Sequence, residues 1–174
     1  MRDAVKLISS GLYLGYSPIA PGTIGSIFAV LLYLILGRFT LAYVLLVVIF
    51  FIAGFVISGS AEDIFGKKDS QKIIIDEIAA MSFIAVFVKP IWTINLGSLP
   101  GPQTLIGERW GLLLGLVLFR IFDIVKPPPI KQVETISGSA GIMLDDIIAA
   151  FYCLLVLFVI NMVIRAGTLL LGYI

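Results

Sequence analysis

Phe119-Arg120-Ile121-Phe122-Asp123-Ile124-Val125-Lys126-Pro127-Pro128-Pro129 closes a long apolar run with one acid and two cations, and its proline block then halts any helix. Two further acid pairs, Asp76-Glu77 and Asp145-Asp146, sit at comparable junctions between polar loop and apolar segment. The chain around these junctions has 174 residues, 60% of them hydrophobic and 13% charged, with a mean hydropathy of +1.12. A soluble domain rarely exceeds about half apolar residues, and several runs here approach the roughly 20 residues that cross a bilayer. The sequence therefore predicts an all-α, polytopic membrane helix bundle, with residues 1–174 forming a single integral membrane domain.

About five apolar segments are expected. The first, Ile24 to Gly37, is short: at 1.5 Å per residue it reaches about 21 Å against a hydrocarbon core of roughly 30 Å. It reads either as a thin span with Arg38 snorkelling or as a re-entrant element. Leu41–Ser58, Asp76–Leu96, Glu108–Val125 and Asp145 to about Leu171 follow, separated by a charged loop (59–75), a Gly/Pro-rich turn (97–107) and a second polar loop (126–144). Before them, apolar positions within residues 3–15 suit a short interfacial helix. Residues 15–26, with two prolines and several glycines, read as irregular, with Thr23 or Ser26 able to cap the next helix. The amino terminus lacks the unbroken apolar core of a signal peptide and is expected to be retained.

With five crossings, the amino terminus and both polar loops share one side, which carries Arg2, Lys6, Lys67, Lys68, Lys72, Lys126 and Lys131. The opposite side carries Arg38, Arg109 and Arg165, so the positive-inside bias makes the first side cytoplasmic. The same parity puts residues 17–26, Asp76-Glu77, Asp123 and Asp145-Asp146 at the cytoplasmic interface, although the acids played no part in the charge count.

Absent residues narrow the chemistry. The chain has no histidine, which excludes a Ser-His-Asp triad, histidine-ligated zinc and a phosphohistidine. Its one cysteine, Cys153, lies in an apolar run and reads as a small buried hydrophobe. A net charge of +1 gives no support to nucleic-acid binding.

Each acid has a plain alternative. Asp76 or Asp145 can cap a helix start, and Asp123 can pair with Arg120 one turn earlier. A second acid just inside each apolar segment, Glu77 or Asp146, is costly without a partner. Five gathered carboxylates repel one another unless a divalent ion joins them. With neither His nor Cys to hand, oxygen ligands point to Mg²⁺ or Mn²⁺. Arg120, as a planar fork, and Lys126, as a point charge, suit a phosphate beside that ion. The segment around Gly22-Thr23-Ile24-Gly25-Ser26 can add donors at a helix start, or serve simply as a turn.

Three blocks resemble the phosphatidylglycerophosphatase A family, in that family's order: residues 15–26 (GYSPIAPGTIGS), 119–130 (FRIFDIVKPPPI) and 141–149 (GIMLDDIIA), with Asp76-Glu77 between the first two. The resemblance implies a Mg²⁺-dependent, multi-pass phosphatase of the bacterial inner membrane, acting on phosphatidylglycerophosphate at the cytoplasmic face to give phosphatidylglycerol and phosphate. On that reading Asp76, Glu77, Asp123, Asp145 and Asp146 hold one or two ions. Glu77, Asp123, Asp145 and Asp146 are the candidates for the chemical step, by water attack or through an aspartyl-phosphate. Arg120, Lys126, Thr23 and Ser26 bind the phosphomonoester. The rival readings are a small ion or proton transporter, whose sites favour the bilayer midplane over helix ends, and a lipid transferase, whose Asp-Gly-x-x-Ala-Arg signature is missing.

Overall fold

A computed structural model describes residues 2–68, 70–93 and 102–171. They form only helices: α1 (Arg2–Ser9), a 3₁₀ turn (Leu14–Tyr16), α2 (Pro21–Leu36), α3 (Thr40–Phe65), α4 (Ile75–Thr93), α5 (Pro102–Val125), α6 (Ile130–Val133) and α7 (Ser139–Leu171).

The architecture is a sheath of helices around α4, which packs against α2, α3, α5 and α7. From Ile75 to Ala85 no residue of α4 is exposed, and Ala79, Ala80, Met81, Ile84 and Ala85 are fully buried. A helix apolar all round belongs in an interior, and its alanines let neighbours approach closely. Phe83 ties the sheath together, with edge-to-face contacts to Phe51 of α3 at 5.9 Å and Phe151 of α7 at 5.6 Å. At Gly54 of α3 a Cβ would run into the sulfur of Met143 from α7.

The outer helices turn large apolar side chains outward. Leu41, Ile49, Ile52 and Val56 of α3, Trp110, Val117 and Ile124 of α5, and Phe151, Leu155 and Val163 of α7 are each more than half exposed. By length and composition, α3 and residues Ser139–Ile164 of α7 are each able to cross a membrane, while α2 is a shorter apolar helix.

Several boundaries differ from the expected ones. α2 begins at Pro21 rather than near Ile24, because proline at a first helical position gives up no hydrogen bond and has its φ already set. Neither Thr23 nor Ser26 caps it: the N-cap position is Ala20, and Ser26 Oγ donates to the Gly22 carbonyl at 3.1 Å. α3 runs through Glu62 and Asp63 and stops at Gly66, whose φ of +67° is the left-handed stop that glycine supplies cheaply. The charged loop is thus residues 66–74. α5 begins at Pro102, so the expected turn contracts from its carboxyl side; residues 94–101 and Asp69 lie outside the described residues, as does the side chain of Arg165. α7 begins at Ser139, whose hydroxyl accepts the Gly59 N–H at 2.7 Å. Asp145 is therefore well inside its helix and caps nothing.

Candidate metal and phosphate site

Asp76 and Glu77 occupy the first turn of α4. The α4 axis carries them to the end of the bundle where α5 finishes and α7 starts. There Asp146 faces them. One carboxylate oxygen from each of Asp76, Glu77 and Asp146 can be chosen so that all three lie within 4.8 Å of one another. Asp76 and Asp146 are 7% and 3% exposed.

Each member of this trio has a buried oxygen with no hydrogen-bond partner: Asp76 Oδ1, Glu77 Oε2 and Asp146 Oδ2. Buried acceptors without donors are expensive, and three carboxylates at this spacing repel. Hard oxygen donors crowded in this way are what a Mg²⁺- or Mn²⁺-sized ion needs from protein, with water or substrate completing its shell. The residues fit such an ion.

The remaining acids stand outside the trio, each committed to a cation. Asp123 Oδ2 is 2.8 Å from Arg120 Nη1, and the same Nη1 is 3.8 Å from Glu77 Oε1. Asp123 is also close enough to Asp146 for the two charges to repel. The expected Arg120–Asp123 pair thus forms, and it sits against the trio. Arg120 Nε and Nη1 are buried without a properly directed hydrogen bond, so the guanidinium keeps donors for a ligand. Asp145 Oδ2 receives Lys126 Nζ at 2.9 Å, and its Oδ1 accepts the backbone N–H of Asp146 at 2.9 Å. The shared five-acid cluster is therefore three carboxylates that can share an ion, two of them buried and Glu77 partly so, plus two acids that orient cations.

Lys126 leaves α5 in a left-handed conformation, φ +46°, while its N–H still bonds the Phe122 carbonyl at 2.9 Å. A non-glycine residue holds that geometry at a cost of about 1 kcal/mol, so its surroundings must over-determine it. Its ammonium lies between Asp145 and Glu134, both at 2.9 Å. Burial lowers the Lys126 pKa, but the hydrogen bonds its ammonium donates to Asp145 and Glu134 outweigh it and hold the group above its ordinary value.

Gly22 explains why the α2 block belongs to this site. A Cβ there would collide with Glu77 Oε1 and come within 3.0 Å of Arg120 Nη1. The first turn of α2 therefore presses directly on the carboxylates, with Thr23 half-buried beside it. Ser26 is fully buried and donates within its own helix, so it drops out as a phosphate donor. Gly22→Ala should displace Glu77 and lower kcat/KM by about ten- to a hundredfold, as disturbed ligand support does. An unchanged rate would remove α2 from the site.

Sequence reasoning missed Glu134, which meets Lys126 across the proline block, where no continuous helix or strand relates the two positions. It also read Gly22 only as a turn residue or donor. The two basic loops do meet: Lys68 Nζ donates to the Thr135 carbonyl at 3.3 Å, at the same end as the acids.

The sequence profile described as Phosphatidylglycerophosphatase A matches residues 7–161. A Bacteroides thetaiotaomicron protein named "Putative phosphatidylinositol-3-phosphatase" is 32% identical over 91% of this chain and 94% of its own. Proteins named phosphatidylglycerophosphatase A from Haemophilus influenzae and Escherichia coli are each 32% identical, covering 92% and 86% of this chain and 91% and 78% of theirs. No solved structure matches.

Proposed function

Since the chain belongs to the phosphatidylglycerophosphatase A family, we propose that it hydrolyses phosphatidylglycerophosphate to phosphatidylglycerol and inorganic phosphate. Enzymes of that name are phosphoric monoester hydrolases. The observation that carries the reading is the trio Asp76, Glu77 and Asp146, each with a buried, orphaned oxygen, beside an arginine with donors to spare.

Asp76, Glu77 and Asp146 would hold Mg²⁺. Bound there, the ion supplies charge neutralisation at the phosphoryl oxygens and lowers the pKa of an attacking water. Arg120 would bind the phosphomonoester through guanidinium N–H groups that its ion pair with Asp123 orients without saturating. Lys126, oriented by Asp145, adds a second positive charge. Asp123, beside the trio and paired with Arg120, is the acid that would take the proton of the attacking water and return it to the departing glycerol oxygen. Thr23 is placed to contribute from the first turn of α2.

The membrane reading is five crossings, α2, α3, α4, α5 and α7, in the inner membrane of a bacterium. Support comes from the outward apolar faces of α2, α3, α5 and α7, which water would not tolerate at this density. The basic loops share the end of the bundle that carries the carboxylates, so the positive-inside rule makes that end cytoplasmic. The same geometry argues against a transporter, because the acids gather at helix ends rather than at mid-depth.

The relatives' names differ in headgroup, phosphatidylglycerol against phosphatidylinositol, but both describe a phosphomonoester on a lipid polyol. The test is phosphate release by purified protein, with Mg²⁺ or with EDTA, on phosphatidylglycerophosphate, phosphatidylinositol 3-phosphate and phosphatidic acid. Release from phosphatidylglycerophosphate that stops with EDTA is expected. Preference for the inositol lipid would reassign the headgroup. No phosphate from any of the three, with ion flux in sealed vesicles, would give the function to the rival.

A further inference from the structure

Lys126 has two partners of different character. Asp145 is buried, its side chain 8% exposed, and its other oxygen is tied to the α7 backbone. Glu134 is 40% exposed and stands at the carboxyl end of the four-residue helix α6. The first contact fixes the ammonium; the second covers it. An exposed carboxylate on a cation meant for an anion occupies the place a phosphate oxygen would take.

Glu134 also has somewhere to go. It lines a cleft of about 620 Å³ together with Lys67, Lys68, Gln71, Lys131 and Thr135. Three lysines there can receive the carboxylate once it leaves Lys126. The loop bearing it is short and anchored on both sides, by the Ile130 N–H to the Pro127 carbonyl at 2.9 Å and by Lys68 to Thr135.

We propose that Glu134 is a displaceable internal occupant of the anion seat on Lys126: the substrate's phosphomonoester takes its place, and Glu134 turns to the cleft of Lys67, Lys68 and Lys131. The proposal rests on the reading of Lys126 as a phosphate-binding residue. It makes Glu134 a positioning residue that sets the threshold for anion binding and takes no part in the chemical step. Before the phosphate can reach Lys126 it must outcompete a tethered carboxylate, which favours a dianionic phosphomonoester over singly charged lipid headgroups.

The experiment uses the full-length protein in detergent micelles with phosphatidylglycerophosphate as substrate and inorganic phosphate as inhibitor. In Glu134→Gln, KM and the inhibition constant for phosphate should each fall about two- to fivefold, the size set by a partly exposed ion pair, with kcat within about twofold. Glu134→Asp should behave as wild type. The gain should vanish in a Lys126→Gln background, and Asp63→Asn, which removes an exposed acid at the same end of the bundle, should not reproduce it. Lys67→Gln with Lys131→Gln should raise KM, because the displaced carboxylate then keeps only Lys68, which already donates to the Thr135 carbonyl. An unchanged or raised KM in Glu134→Gln, or an equal gain in Asp63→Asn, overturns the proposal. If Lys126→Gln weakens phosphate inhibition while Glu134→Gln does not strengthen it, the displacement alone fails. If Lys126→Gln leaves phosphate inhibition unchanged, the seat itself is wrong and the assignment of Lys126 falls with it.

Discussion

Asp146→Asn should lose Mg²⁺-supported phosphate release by about a thousandfold or more while melting, in EDTA, at or above the temperature of wild type in EDTA. The two readouts part because the same carboxylate does opposite things to them. Without an ion, Asp146 is a nearly buried acid facing Asp76 and Glu77, with Oδ2 unsatisfied, and removing its charge relieves repulsion at low dielectric. With an ion, it is one of three ligands, and an amide is a poorer donor to Mg²⁺. Loss of several kcal/mol of charge stabilisation in the transition state converts to about three decades in rate. Asp76→Asn should follow the same pattern. Asp145→Asn should not: it strands Lys126 and breaks the contact to the Asp146 N–H, so it should cost stability as well as rate. Activity assays paired with thermal melting check both. Near-normal hydrolysis by Asp146→Asn would remove the trio from the chemistry.

The second large effect is on the protein itself. Mg²⁺ added to EDTA-stripped protein should restore activity and raise the melting temperature by about 5–10 °C once the ion exceeds its dissociation constant about a hundredfold, the linkage value being about 2.7 kcal/mol. Ca²⁺ should stabilise less well, since three protein oxygens are few for a larger ion that takes six to eight. The Mg²⁺ stabilisation should be absent from Asp146→Asn and from Glu77→Gln. Full activity in excess EDTA would rule out the ion.

The acids were legible because hydropathy alone makes them anomalous. A carboxylate next to an apolar run stands out whatever the fold, and three such junctions at one parity already suggested a meeting point. What hydropathy cannot supply is pairing. That Asp145 turns to Lys126 while its neighbour Asp146 turns to Asp76 follows from a helix that starts at Ser139, and residues 137–141 (SGSAG) read as turn until Ser139 finds the Gly59 N–H on another helix. Centrality was equally hidden. α4 is no more apolar than α3, and only packing distinguishes the helix that is enclosed from those that enclose it. Gly22 looked like a turn residue because its partner, Glu77, is remote in the chain.

The burial of α4 on every side through its first three turns bears on where this enzyme works. Two of the three acids ride on a pillar that, on the membrane reading, would have no contact with acyl chains there, and the third projects onto it from α7. A change in bilayer thickness, fluidity or surface charge acts on the outer helices and reaches the acids only after passing through a packed wall. On the proposed function, a catalyst that makes an anionic membrane lipid alters the solvent in which it would sit. Holding its chemistry on an insulated core lets turnover stay steady while that solvent shifts around it.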